Sequence, residues 1–186
     1  ADRMARWSGT EEAKGSGLYF YYLNMKLNFN LSPKDRLYVT GYMGRDVMGV
    51  KKVVDNNWGN LSAAIKWNRL FNEKWSMSTS AIYNRYSYDV QLKMNMDMKV
   101  SSDINDYIFK QDFQYFHTEN NIWRLGYSST YHTITPGKFK YDESTGDNHI
   151  LQNRYSWENG VYLTNQLNIT DSFEILYGLR LSTFSA

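Results

Sequence analysis

The residues best suited to catalysis or metal binding in this chain are three histidines, His117, His132 and His149. No arrangement of serine, histidine and acid connects them, and their spacing matches no common metal site. The chain also has no cysteine, which excludes a thiolate metal site and a disulfide. We therefore predict no catalytic residues, no metal site and no cofactor, and we do not expect an enzyme.

The same histidines have plainer interpretations as solvated side chains. His117 lies beside a predicted turn, which is typical of a solvated rim residue. His132, near the outer end of a predicted strand, and His149, in a predicted loop, could contact a ligand from the external side. Exposed loop histidines are commonplace, however, so their residue type alone does not indicate a site.

The run "KMNMDMKV" raises the question of a soft-metal site, because thioether sulfurs are ligands for copper and haem. Met94, Met96 and Met98 alternate with polar residues, and on a strand they would share one face. That arrangement is also typical of the apolar side of an extended strand rim. We predict the strand rim and no metal site.

Acidic, amide and aromatic residues in predicted long loops are better candidates for capturing a ligand, since loops on a rigid scaffold often carry recognition. Any one of them could instead simply solvate its loop. The predicted ligand-binding residues are Arg45, Asp46, Asp55, Asn57 and Trp58 in the first long loop, and Asp142 and His149 in the third.

The elements that would position these residues are strands with two distinct faces. In "YFYYLNMKLNFNLSPKDRLYVTGYMG" apolar residues such as Leu23 and Met25 alternate with Asn24, Lys26 and Asn28. A period of two predicts a strand, whereas a helix would scatter these residues around its circumference. The pattern recurs eight times, and the predicted strands are 18–31, 36–47, 59–71, 75–91, 104–118, 122–135, 155–169 and 173–184.

Short polar turns ("SPKD", "NEK", "ENN", "TDS") alternate with longer connectors near 46–58, 92–103 and 136–154. This alternation predicts an all-β fold, an up-and-down antiparallel transmembrane β-barrel segment with short periplasmic turns and long extracellular loops. Strands of 12 to 15 residues, reaching roughly 40 to 50 Å, are long enough to cross a bilayer when tilted. Aromatic residues such as Trp75 and Trp123 lie near strand ends, where an interfacial girdle would place them.

Two classes of protein differ in which face of the strands contacts water. In a membrane barrel the apolar face meets lipid and the polar face lines a lumen, whereas a soluble sandwich or lipocalin-like binder has apolar side chains inside. Aromatic placement and loop length favour the membrane barrel. The residues then predicted to face the lumen or a plug are Asn24, Lys26, Asn28, Lys66 and Asn68.

Charge and hydropathy exclude two other classes. The chain has 21 basic and 19 acidic residues scattered along its length, for a formal net charge of +2, which gives no support for a nucleic-acid partner. No apolar run approaches the roughly 20 residues of a membrane-spanning helix. The first 17 residues contain no apolar signal-peptide core, and we interpret 1–17 as part of an extracellular loop.

Several phrases resemble the middle of the barrel of TonB-dependent outer-membrane receptors, with a similarity that runs from about residue 18 to the end. The most suggestive are "LSPKDRLYVTGYMGRD", "WGN" opening a strand, and "RLFNEKWS". The resemblance implies a plugged barrel of about 22 strands in the outer membrane of a Gram-negative bacterium. Such receptors bind a scarce nutrient (siderophore, haem, cobalamin, glycan or peptide) at the extracellular face and import it.

The resemblance also implies partners: outer-membrane lipid, the TonB energy-coupling complex acting through a plug, the ligand, and in some receptors a surface lipoprotein. Counting from the turns places both chain ends on the long-loop side, so we expect 1–186 to be part of one larger barrel domain, with about eight strands over 18–186 and with the plug absent. The alternative is a complete small outer-membrane barrel acting as an adhesin or structural protein, which would close by pairing its first and last strands.

Overall fold

The computed structural model describes residues 17–50, 53–93, 97–140, 148–149 and 152–186, nearly all of them in strands. The strands are β1 (Gly17–Ser32), β2 (Asp35–Val50), β3 (Val54–Leu70), β4 (Trp75–Lys93), β5 (Asp97–Thr118), β6 (Asn121–Lys140), β7 (Asn148–His149), β8 (Arg154–Thr170) and β9 (Phe173–Ser185). Within the described residues, no helix is long and apolar enough to cross a membrane.

All strands belong to one antiparallel sheet with the order β1-β2-β3-β4-β5-β6-β8-β9, and the two-residue β7 pairs with the end of β6. Each long strand therefore pairs with its neighbours in sequence, which confirms the predicted up-and-down fold. In the described part of the chain β1 and β9 do not pair with each other. The closure that the small-barrel alternative requires is thus not seen.

The short turns form as their residue types predict. At the first turn the Ser32 hydroxyl donates to the Asp35 carboxylate at 2.8 Å. At the second, the Asn72 side-chain oxygen accepts hydrogen bonds from the backbone N–H groups of Lys74 and Trp75, both at 2.9 Å. Side chains of this kind replace the backbone hydrogen bonds that a tight reversal leaves unmade.

At the strand ends away from the short turns, the structure differs from the prediction. The predicted loop 46–58 is largely strand, since β2 continues to Val50 and β3 begins at Val54. Likewise β4 and β5 extend into the predicted loop 92–103. Polar residues there remain in the ladder because pairing uses backbone groups, and cross-strand ion pairs such as Lys93–Asp55 match their charges. The connection between β6 and β8 is the longest, as predicted.

The polar face of the sheet is concave. The Tyr162 hydroxyl on β8 donates to the Asp112 carboxylate on β5, and Arg180 on β9 lies 3.5 Å from the Ser128 hydroxyl on β6. Each contact passes over an intervening strand. A curving sheet brings side chains of non-adjacent strands closer together on its inner face, and a ring pair that spans β8 on the apolar face, Trp123 with Tyr177, is further apart at 6.5 Å between centroids. Both contacts involve the polar rows, so these rows face inward.

The apolar rows cover the convex face, and they are exposed. Leu163 is 44% exposed and Leu179 is 83% exposed. Among the described residues no hydrophobic side chain is buried, and the one buried polar side chain is Asn165 at 1%. A soluble sandwich or lipocalin-like barrel would bury apolar side chains between its layers. In this sheet the apolar side chains lie on the outside instead, as they do in a sheet whose convex face meets lipid.

Aromatic side chains cluster at two levels of this convex face. Near the turns, Trp75 packs on Tyr115 with ring centroids 4.6 Å apart. Further up the strands, Tyr83 packs on Tyr107 at 5.2 Å. The Tyr83 hydroxyl also donates to the Asn105 side chain at 2.8 Å. Rings that carry a polar handle suit the boundary between hydrocarbon and water.

Candidate functional site

The concave wall is the polar face of the sheet, and many of the charged residues lie on it. Alternate positions of the strands supply them, because successive side chains on a strand point to opposite faces. Following the register, the cationic residues of this face include Lys26, Arg36, Lys66, Lys110, Arg124 and Arg180, and the acidic ones include Asp106, Asp112 and Glu158.

A cavity of about 530 Å³ lies in the half of the concave wall nearest the short turns. We call it the turn-side cavity. Its charged concave-wall residues are Arg36, Lys66, Arg124 and Asp112. Three cations against one carboxylate give this region a net positive charge, so the cavity is suited to receive anionic groups.

Tyr162 crosses the turn-side cavity as a strap between strands. Its ring lies over Gly126 on β6, so that a Cβ atom built on Gly126 would overlap the ring. The absence of a side chain at Gly126 lets Tyr162 reach over β6 to Asp112 on β5. Sequence analysis did not identify this contact. The sequence does contain a glycine, Gly126, that pairs with Tyr162 in a polar row. This pairing can be recognised only when the strand register is known.

Two arginines of the wall are held by neutral partners. The Arg124 guanidinium donates to the Gln166 side chain at 3.0 Å, and Arg180 donates through Nε to the Ser182 hydroxyl at 3.0 Å. A guanidinium has five N–H donors, so these bonds orient the groups without using their full capacity. Fixed cations with remaining donors can form further hydrogen bonds with carboxylates or phosphates.

The residues predicted to face a lumen share this one face. Asn24, Lys26 and Asn28 alternate along β1, and the register connects Asn28 through Tyr38 to Lys66 on β3. Asn68 lines the turn-side cavity together with Lys66. The side-chain oxygen of Asn68 is buried and has no hydrogen-bond partner among the described residues. Their contact with a plug stays a prediction.

The residues predicted to capture a ligand do not share a face. Arg45 and Asn57 lie on the convex side, where Arg45 Nε donates to the Asn57 side chain at 2.8 Å. Asp55 is on the same side and forms an ion pair with Lys93. Asp46 and Trp58 are paired directly and point to the concave side.

Placing all five in one loop was wrong, because the strands continue through their positions and alternation separates them. Asp142 lies outside the described residues. The backbone of His149 pairs with Phe139 in the ladder, and its side chain lies outside what the structure describes.

The other two histidines occupy different environments. His132 is on the concave wall, with its Nδ1 atom 2.7 Å from the Asp106 carboxylate. His117 is exposed beside its turn and packs near Tyr115, with ring centroids 6.0 Å apart. Across the described ranges, no group of three or more histidine, cysteine or acidic residues could hold a metal ion. Met94 and Met96 lie outside those ranges, whereas Met98 is part of β5.

Comparison with known proteins shows similarity at the level of structure. No family model matches the chain, and no curated protein matches it by sequence. The copper transporter OprC superposes with a TM-score of 0.73 and 11% identity, over 91% of this chain and 29% of that one. BauA, the ferric preacinetobactin receptor of Acinetobacter baumannii, superposes with a TM-score of 0.66 and 11% identity, over 91% of this chain and 35% of its own.

Both solved structures are TonB-dependent receptors, the class that the sequence resembles. This chain spans about a third of the length of either one. At 11% identity the similarity is one of fold, and it does not extend to cargo. The eight long strands therefore have the fold of a portion of the β-barrel of such a receptor.

Proposed function

We propose that this chain forms part of the barrel wall of a TonB-dependent outer-membrane transporter, which binds a scarce nutrient at its extracellular face and imports it. The observation that carries the proposal is the inversion of the sheet, with apolar side chains exposed on the convex face and charged side chains on the concave face. This inversion suits a wall between lipid and an aqueous lumen.

Strand length supports a membrane location in the outer membrane of a Gram-negative bacterium. The long strands have 13 to 22 residues. At about 3.3 Å per residue and a tilt near 45°, they rise roughly 30 to 50 Å. An outer-membrane barrel presents an apolar band about 25 Å tall. The longer strands therefore project beyond the bilayer, which explains why charged pairs such as Arg85–Asp103 occur on the convex face above the apolar rows.

The turn-side cavity supports the presence of a plug inside the barrel. Its concave-wall cations, Arg36, Lys66 and Arg124, line it together with one carboxylate, Asp112, which already accepts a hydrogen bond from Tyr162. Acidic side chains of a plug domain would match this charge and could accept hydrogen bonds from the remaining N–H donors. A plug that contacts the wall here would connect the chain to TonB, and through it to energy from the inner membrane.

The function is tested by nutrient uptake in the native host. A strain lacking the protein is compared with its parent in media limited in turn for iron, copper, haem, cobalamin or a glycan. We expect the deletion to slow growth on one of these nutrients. We also expect a protonophore, or deletion of TonB, to abolish uptake of that nutrient by the parent, because import requires energy. Unchanged growth on every nutrient, together with loss of surface attachment, would favour the adhesin instead.

A further inference from the structure

Two neighbouring cavities lie on the convex face, one above the other, and we call them together the convex groove. Its lower part is an apolar cavity of about 750 Å³. Ala63 and Ala81 are small convex-face residues that leave room for it, and larger side chains stand around them. These larger residues are Ile65, Tyr83, Tyr107, Phe109, Tyr131 and Trp157. This cavity extends across the strands from Val39 on β2 to Trp157 on β8, and it opens to the side of the sheet that meets lipid.

The upper part of the groove changes from apolar to cationic. A second cavity of about 300 Å³ is lined by Tyr21, Met43 and Leu61 together with Arg45 and Arg85. Gly59 keeps this part open, since a Cβ there would lie 3.3 Å from the Gly44 carbonyl oxygen and 3.4 Å from the Ser87 hydroxyl. Gly59, Leu61, Ala63 and Ile65 occupy one convex row of β3 that extends about 20 Å. The two cavities therefore adjoin each other on β3.

The upper cavity is lined by two arginines and two aspartates, and Lys99 just beyond its lining brings the charge of the upper end to one positive unit. Arg85 donates twice to Asp103, through Nε at 3.1 Å and Nη2 at 2.8 Å. Lys99 lies 3.8 Å from Asp89, the other acidic residue of this cavity. Arg45 donates to Asn57, which is neutral. Within the described residues, the positive charge of Arg45 is thus left without a carboxylate partner.

We propose that the convex groove binds one lipid molecule with an anionic phosphate headgroup. The acyl chain occupies the apolar cavity against Ala63 and Ala81, and the phosphate accepts hydrogen bonds from the Arg45 guanidinium. Phosphate matches the forked geometry of guanidinium donors, and Arg85 stands beside it as a second, paired guanidinium. This inference rests on the proposed membrane location, and it adds a specific lipid site to a surface that otherwise contacts lipid without selection.

The site is tested by native mass spectrometry of the whole protein in detergent. Phosphatidylglycerol and phosphatidylcholine with identical acyl chains are added separately, and glycerol phosphate serves as a probe without an acyl chain. We expect one phosphatidylglycerol to be retained at several-fold higher occupancy than phosphatidylcholine, and glycerol phosphate not to be retained. Arg45→Gln should bring the two lipids to equal occupancy. Ala81→Leu, which fills the groove, should lower the retention of both.

Two matched variants serve as controls. Lys110→Gln removes a cation from the concave face, and Val161→Leu enlarges a convex residue outside the groove. Both should retain phosphatidylglycerol like the parent. Equal retention of the two lipids by the parent, or competition by glycerol phosphate, would overturn the proposal. Nutrient uptake by Arg45→Gln and Ala81→Leu, measured separately, shows whether the transporter function persists when the lipid site fails.

Discussion

Gly126→Ala is expected to destabilise the folded protein by about 2 to 4 kcal/mol, a large effect for one added methyl group. The methyl would overlap the ring of Tyr162, which lies directly over Gly126. Moving the ring costs about 1 to 3 kcal/mol as overpacking. It also breaks the hydrogen bond to the Asp112 carboxylate and leaves a charged acceptor without its donor, which costs a further 1 kcal/mol or more. Urea unfolding in detergent micelles, followed by tryptophan fluorescence, measures the change.

Gly41→Ala is the matched control for this substitution. A Cβ at Gly41 would meet only the end of the Met25 side chain, at 3.9 Å, which is an ordinary contact. Its unfolding free energy should stay within about 1 kcal/mol of the parent, because replacing glycine in a strand removes chain entropy from the unfolded state. In a Tyr162→Ala background, Gly126→Ala should lose most of its cost. An undiminished cost there would show that the strap across Gly126 is not its cause.

Leu163→Lys is expected to cost about 2 to 4 kcal/mol of folding stability in a lipid bilayer. Leu163 is exposed on the convex face and lies between Leu125 on β6 and Leu179 on β9. A lysine at the middle of a lipid-facing strand must leave its charge in hydrocarbon or bend the side chain toward the interface. Refolding titrations into phospholipid vesicles measure the change in stability.

Thr130→Lys provides the comparison on the opposite face. Thr130 is on the concave wall and faces Glu158 across the ladder. A lysine there lies in the aqueous interior beside a carboxylate, so we expect a change of less than about 1 kcal/mol. The difference between the two lysines reports directly on which face contacts lipid. Equal costs for Leu163→Lys and Thr130→Lys would contradict the assignment of the faces.

Strand periodicity made most of the fold predictable. Alternation in β1 separated Leu23 and Met25 from Asn24 and Lys26 without reference to any partner strand. The turns were visible too, because "SPKD" and "NEK" contain side chains that can satisfy a reversing backbone. These signals are local, depending on residues no more than a few positions apart, and so they survive in a single sequence.

What the sequence did not reveal depends on contacts between distant residues. Tyr162 and Asp112 are 50 residues apart, and their contact requires both the strand order and a glycine at position 126. The ends of the strands were also missed, because charged residues such as Asp55 and Lys93 look like loop residues until their pairing is known. For the same reason Arg45 and Asp46, adjacent in sequence, were assigned to one ligand surface although they point to opposite faces.

The central claim is that the convex face meets lipid and the concave face meets water. The chain has no cysteine, so single cysteines can be introduced and spin-labelled without background. The most direct measurement compares the accessibility of labels at Leu163→Cys and Thr164→Cys to oxygen, which partitions into lipid, and to a water-soluble nickel chelate. In bilayers we expect the label at position 163 to collide mainly with oxygen and the label at position 164 mainly with the chelate. The reverse pattern, or no difference between these adjacent positions, would contradict the account.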